Sequence, residues 1–167
     1  LELPKSENLS ADYAILAEGR EDDTDFMIRL QGEENVLVEY GKMELNIELR
    51  FRVHVLMTEL ENNAPDLIFV IDFGQIIKEP FLSKPKYGCL NIHPSLLPEY
   101  RGAAPIQRAL LEGKNYTGVS VFRLVKAMDA GGILAQEKFL IPEDFNASDL
   151  YRELSKIGAK IAAEALN

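Results

Sequence analysis

The run Leu67-Ile68-Phe69-Val70-Ile71 limits the possible folds more than any other part of this chain. A strand with one wet face would alternate apolar and polar residues, and an amphipathic helix would show a polar stripe. Five apolar residues in a row, closed off by Pro65-Asp66 and Asp72, read instead as a strand covered on both faces. Such strands belong to parallel sheets flanked by helices, so the expected class is α/β, with a mainly parallel, Rossmann-like sheet. The surrounding segments agree. Thr58 to Asn63 reads as a short helix with Thr58 as cap, ended by Ala64-Pro65-Asp66. Gly88 to His93 reads as a second short strand, stopped by Pro94. Ala104-Pro105-Ile106 opens a helix with Pro105 in its first turn, and Gly113 sits at its C-terminal cap. Val119 to Leu124 and Ile133 to Phe139 are two further strands. Ser148 is read as the cap of a closing helix whose Leu150, Leu154, Ile157 and Ile161 form one stripe.

The first 57 residues follow a different pattern. A mostly acidic stretch spans Glu18 to Asp25, and Phe26 to Leu30 and Val36 to Tyr40 are short strand-like runs. Met43 to Val55 alternates apolar and polar residues throughout, with His54 on the wet side as a solvated side chain. These three runs suggest that residues 1–57 hold an unassigned polar segment and a small antiparallel β meander, ahead of an α/β unit over 58–167. The 43–55 strand is also a candidate neighbour for Leu67–Ile71.

Composition removes several function classes. Twenty-seven acidic and eighteen basic residues give a net charge of −9, which argues against bulk electrostatic binding of a polyphosphate. The only cysteine, Cys89, allows neither an intramolecular disulfide nor a cysteine-cluster zinc site, and two histidines are too few for a His-rich metal site. No apolar run approaches the ~20 residues that a bilayer requires, and no secretory signal pattern opens the chain. A reducing cytoplasm is the expected compartment.

The chemistry gathers in one segment. Asn91 and His93 are two apart on a strand, so their side chains share a face, and Pro94 places them at its carboxyl end. Open α/β sheets bind ligands at that edge. The loop from Ser95 to Ala104 feeds a helix start, and Arg101 offers a planar fork for a carboxylate or phosphate. Met128-Asp129-Ala130-Gly131-Gly132 puts a carboxylate in the turn between two strands. An amide, an imidazole and a carboxylate converging at one edge would supply a donor, a titrating base and a charge partner. Each also has a plainer reading. His93 serves equally as a packing residue, Asp129 as a turn aspartate, Arg101 as a surface cation, and the prolines as stiffeners.

The run Asn91-Ile92-His93-Pro94-Ser95-Leu96-Leu97-Pro98-Glu99-Tyr100-Arg101-Gly102-Ala103-Ala104-Pro105-Ile106-Gln107 closely resembles the signature of the methionyl-tRNA formyltransferases. Pro65-Asp66-Leu67-Ile68, Phe73-Gly74-Gln75-Ile76-Ile77, Thr117-Gly118-Val119-Ser120-Val121 and Met128-Asp129-Ala130-Gly131 resemble its other blocks in order and spacing. The resemblance covers about residues 58–166. Glycinamide ribonucleotide formyltransferases share the Asn-x-His-Pro-Ser-Leu-Leu-Pro core but usually lack the Tyr-Arg-Gly-Ala-Ala-Pro continuation. The resemblance implies transfer of a formyl group from 10-formyltetrahydrofolate to the α-amine of methionyl initiator tRNA, in translation initiation. It implies catalytic roles for Asn91, His93 and Asp129, and a folate site at Phe73, Gly74, Gln75 and Ile76 with Ser95, Leu96, Leu97 and Pro98. It further implies acceptor contacts at Tyr100, Arg101 and Gly102, and no metal.

Three departures from the family pattern stand out. Residues 1–57 lack the family's opening βα repeat with its Phe-Gly-Thr-Pro turn and basic insertion, the β-barrel that follows in the family is not in this sequence, and Gly132 stands where an Asp is usual. A non-catalytic folate-binding or interaction module, and a formyltransferase for a nucleotide-sugar amine, are therefore carried as alternatives.

Overall fold

The computed structural model describes residues 13–17, 36–40, 66–71 and 76–166. They form an α/β fold around one mixed sheet of six strands, in the order β2-β1-β3-β4-β5-β6. The strands are β1 (Tyr13–Ala17), β2 (Val36–Tyr40), β3 (Leu67–Ile71), β4 (Cys89–His93), β5 (Tyr116–Arg123) and β6 (Ile133–Leu140). The helices are α1 (Pro105–Leu111) and α2 (Ala147–Glu164). The first four strands run parallel, whereas β4–β5 and β5–β6 pair antiparallel.

The apolar run at 67–71 behaves as its composition requires. β3 lies between β1 and β4, and its alternate residues enter opposite apolar clusters. Leu67 and Phe69 join the main core beneath α2, and Ile68 and Val70 pack with Phe81 and Cys89 on the other face. Burial on that second face pushes the Cys89 thiol up to about 12, so it acts as a small apolar group. In β4, Leu90 and Ile92 face the α2 core together with Val119 and Val121 of β5. Strand alternation therefore sends Asn91 and His93 to the opposite face, where they pair in register with Phe122 and Ser120.

α2 carries the expected stripe. Leu150, Leu154 and Ile161 are buried in the main core and Ile157 packs against it, each such side chain contributing about 1.5–3 kcal/mol. Its cap differs from the expectation. Asn146, not Ser148, is the N-cap, with its Oδ1 accepting from the backbone N–H groups of Ser148 and Asp149. The Asp149 carboxylate reaches back to the Asn146 N–H at 3.2 Å and closes a capping box, which Ser148 inside the first turn is too late to make. In α1, Pro105 opens the helix as expected, and Gly113 at φ +62° follows its last turn.

Two other expectations change. Val36–Tyr40 is a strand, but it pairs in parallel with β1 at the sheet edge and does not belong to an antiparallel meander. The strand beside Leu67–Ile71 is β1, not the 43–55 run. The physical reason is the same in both cases: β3 needs parallel apolar neighbours, and Tyr13-Ala14-Ile15-Leu16-Ala17 supplies an unbroken run of its own. The runs at 26–30 and 43–55, His54 and the 58–63 helix lie outside the described residues. No helix among the described residues is long and apolar enough to cross a membrane.

Candidate active site

The site grows from the carboxyl end of β4. His93 is the last residue of that strand and is 6% exposed, with its ring set edge-on against Phe122 at 6.4 Å between centroids. Its Nε2 lies 2.9 Å from the Tyr100 carbonyl oxygen. A carbonyl only accepts, so Nε2 carries the proton and donates it. The other nitrogen, Nδ1, faces Asp129 Oδ2 at 3.8 Å, an ion-pair separation and not a hydrogen bond. Both side chains are nearly buried, at 8% and 11% exposure. A proton on Nδ1 as well would face the carboxylate with opposite charge.

Asp129 is carried by the turn between β5 and β6, with φ +46°. Gly131 makes that turn possible: a Cβ there would lie 1.7 Å from the Arg123 carbonyl oxygen. Asp129 Oδ2 accepts the Gly102 backbone N–H at 2.7 Å. One carboxylate oxygen thus ties the 94–104 loop to the turn and faces His93, while Oδ1 receives no hydrogen bond from a described residue. Gly102 itself takes φ +79°, flanked by Tyr100 and Ala104 at φ +55°. Three left-handed residues within five positions give the loop a fixed, costly shape of the kind that collects at functional sites.

Asn91 stands two residues before His93 on the same face. It is partly buried, and its side-chain amide makes no hydrogen bond to another described residue.

The other expected site residues divide into groups. Tyr100 donates its hydroxyl to Glu112 Oε2 at 2.5 Å and lies under Arg108 and Lys114 at 5.2 and 5.8 Å. Partial burial first, and then the Glu112 carboxylate, push its phenol up to about 12. The Arg101 side chain is exposed, and its carbonyl oxygen accepts from Arg108 Nη2 at 2.7 Å. Ser95 and Leu97 are buried within the loop, Leu96 packs over Gly118, and Pro98, after a cis peptide bond, is exposed. Ile76 is 70% exposed. Phe73, Gly74 and Gln75 lie outside the described residues.

Two residues without an expected role turn out to hold this loop. Ser120 Oγ donates to the Ser95 carbonyl oxygen at 2.6 Å and accepts the Leu97 N–H at 3.1 Å. Gln136 Nε2 donates to Ser120 Oγ at 2.7 Å and to the Leu97 carbonyl oxygen at 3.1 Å. The only advance signal was a lone hydroxyl in the otherwise apolar Val119–Phe122 run.

An amide, an imidazole and a carboxylate thus gather at the carboxyl end of β4 in a mixed α/β sheet, and the comparisons give the class. The formyl transferase family matches residues 25–166, and the chain belongs to that family. The match begins well before residue 58, so part of the first segment falls within the family pattern. A methionyl-tRNA formyltransferase from Wolbachia sp. subsp. Drosophila simulans is 41% identical over 133 residues, 80% of this chain and 44% of its own. The protein of that name from Listeria innocua is 35% identical and covers 98% of this chain and 54% of its own. The one from Caldicellulosiruptor saccharolyticus is 48% identical over 107 residues, 64% of this chain and 34% of its own. The chain therefore spans between a third and slightly over half the length of these relatives. Among solved structures, phosphoribosylglycinamide formyltransferase from Bacillus halodurans shares the fold with a TM-score of 0.74, 22% identity and 93% coverage of both chains. A variant of HypX from Aquifex aeolicus gives 0.76 and 23%, over 93% of this chain and 27% of that one.

Proposed function

We infer that this chain transfers a formyl group from 10-formyltetrahydrofolate to a primary amine, the α-amine of methionyl initiator tRNA. The observation that carries the reading is the meeting of His93 and Asp129, distant in sequence, at 3.8 Å in a nearly buried corner beside Asn91. The names of the relatives that match most of this chain support the acceptor. The reading places the reaction in the cytoplasm, on a folate donor and a tRNA acceptor.

The residues suit the donor. A formyl carbonyl requires a hydrogen-bond donor, and the Asn91 amide is available for one. As the amine nitrogen bonds to the formyl carbon, negative charge grows on the formyl oxygen. Asn91 stabilises that charge, assisted by the positive field of the His93 imidazolium. The incoming amine loses a proton, which Asp129 Oδ1 is free to accept directly or through water. Collapse breaks the bond between the formyl carbon and the donor nitrogen, which takes up the proton that Asp129 accepted from the amine, directly or through water. Ser95 to Pro98 and the 73–76 segment hold the donor in this reading, Tyr100 to Gly102 the acceptor.

The test incubates the chain with 10-formyltetrahydrofolate and methionyl-tRNA and measures formyl-methionine release after deacylation, with His93→Ala in parallel. The reading predicts product from the natural chain and a loss of roughly two orders of magnitude in the variant. Folate binding without turnover would establish a non-catalytic module instead. Formylation of a nucleotide-sugar amine, but not of the tRNA, would reassign the acceptor.

A further inference from the structure

The Ser120 hydroxyl is fully buried, and its hydrogen-bonding capacity is used up. A hydroxyl has one proton and two lone pairs. Here the proton goes to the Ser95 carbonyl, and the lone pairs take the Leu97 N–H and the Gln136 amide. Gln136 also donates to the Leu97 carbonyl. The backbone polar groups of Ser95 and Leu97 that face the sheet are thus satisfied by two side chains from β5 and β6.

The restraint continues toward the reaction centre. Ser95 Oγ donates to the Glu99 carbonyl at 2.6 Å, and the Glu99 N–H returns to the Leu96 carbonyl at 2.9 Å. The next carbonyl, that of Tyr100, is the one that accepts His93 Nε2. Ser120 is moreover the ladder partner of His93 across β4 and β5. Gln136 lies on the exposed edge strand, where its own packing contributes little; what sets it apart is that its amide bridges the loop and Ser120.

We propose that Ser120 and Gln136 are positioning residues, which fix the Ser95–Leu97 backbone so that the Tyr100 carbonyl holds the His93 imidazole in its working orientation. Neither touches the reacting groups. The kinetic consequence rests on the formyl-transfer reading, whereas the effect on His93 orientation does not.

The test combines two measurements on the whole chain. His93 ring signals in 1H–15N NMR spectra, assigned by their absence in His93→Ala, are readable because the chain has only two histidines. They are recorded for Ser120→Ala, Ser120→Thr and Gln136→Ala, and the same proteins are assayed for formyl transfer to methionyl-tRNA. The expected result is displaced His93 signals in both alanine variants, returning toward the natural position in Ser120→Thr. Ser120→Ala should lower kcat by about 10–100-fold with KM nearly constant, as displacement of a catalytic group does, and Gln136→Ala should lower it by less. Gln136 is exposed, so its variant reports even where Ser120→Ala fails to fold. Natural His93 signals or a natural kcat in Gln136→Ala overturn the proposal. A natural chain without transfer activity refutes the formyl-transfer reading alone, and the His93 signals then decide the positioning role.

Discussion

Both faces of the sheet bury apolar clusters, but the corner of the second face at the carboxyl end of β4 is held in a different way from the core beneath α2. Beneath α2, Leu90, Ile92, Val119, Val121, Leu150 and Leu154 form a dry core in which no single contact dominates. On the opposite face, at the carboxyl end of β4, the 94–104 loop depends on a few hydrogen bonds with named donors and acceptors: Ser120 and Gln136 at one end, Asp129 near the other. Apolar burial is non-directional and roughly proportional to area, so the first face determines whether the chain folds. Hydrogen bonds are directional, and breaking one leaves a buried polar group unpaired, so those of the loop determine how His93 and Asp129 sit relative to each other.

The contrast makes separable predictions. Leu154→Ala should lower stability by about 2–5 kcal/mol through the cavity it leaves, while the folded fraction keeps its kcat; denaturant unfolding combined with an assay well below the midpoint checks this. Asn91→Ala should do the reverse, lowering kcat by about 10²–10³-fold, or ~2.7–4 kcal/mol of transition-state stabilisation, with the unfolding midpoint close to that of the natural chain. Asn146→Ala removes both acceptor contacts of the α2 cap and should cost about 0.5–2 kcal/mol by thermal unfolding, with no effect on the site. Lys160→Ala breaks a solvent-exposed ion pair with Glu137 at 2.8 Å and should shift the unfolding midpoint least of all, with any shift fading at high salt. A loss of catalysis in Leu154→Ala, or of stability in Asn91→Ala, would break the division between the faces.

The dry face was legible in the sequence because burial leaves a pattern. Leu67–Ile71 announced a two-sided strand, and the α2 stripe announced a helix over a core. β1 carries the same signal in Tyr13–Ala17, but that short run borders polar and acidic stretches, and the alternating 43–55 segment competed as a neighbour for β3. The α2 cap was ambiguous because Asn146 and Ser148 are both competent caps, and only backbone geometry selects between them. The site was half legible. Alternation and Pro94 placed Asn91 and His93 on one face at a strand end, whereas Asp129 on its own read as a turn residue. Ser120 showed only as a lone hydroxyl in an apolar run and Gln136 not at all, because their roles lie in the β4–β5–β6 register and in the path of the loop.

The central claim is that His93 and Asp129 act as one unit. A double-mutant cycle on kcat/KM for formyl transfer, with His93→Ala, Asp129→Ala and the pair, tests it most directly. Residues that act as a unit are strongly non-additive, so each single variant should lose nearly as much as the double variant. Losses that simply multiply in the double variant would mean that the two groups work independently, and would contradict the account.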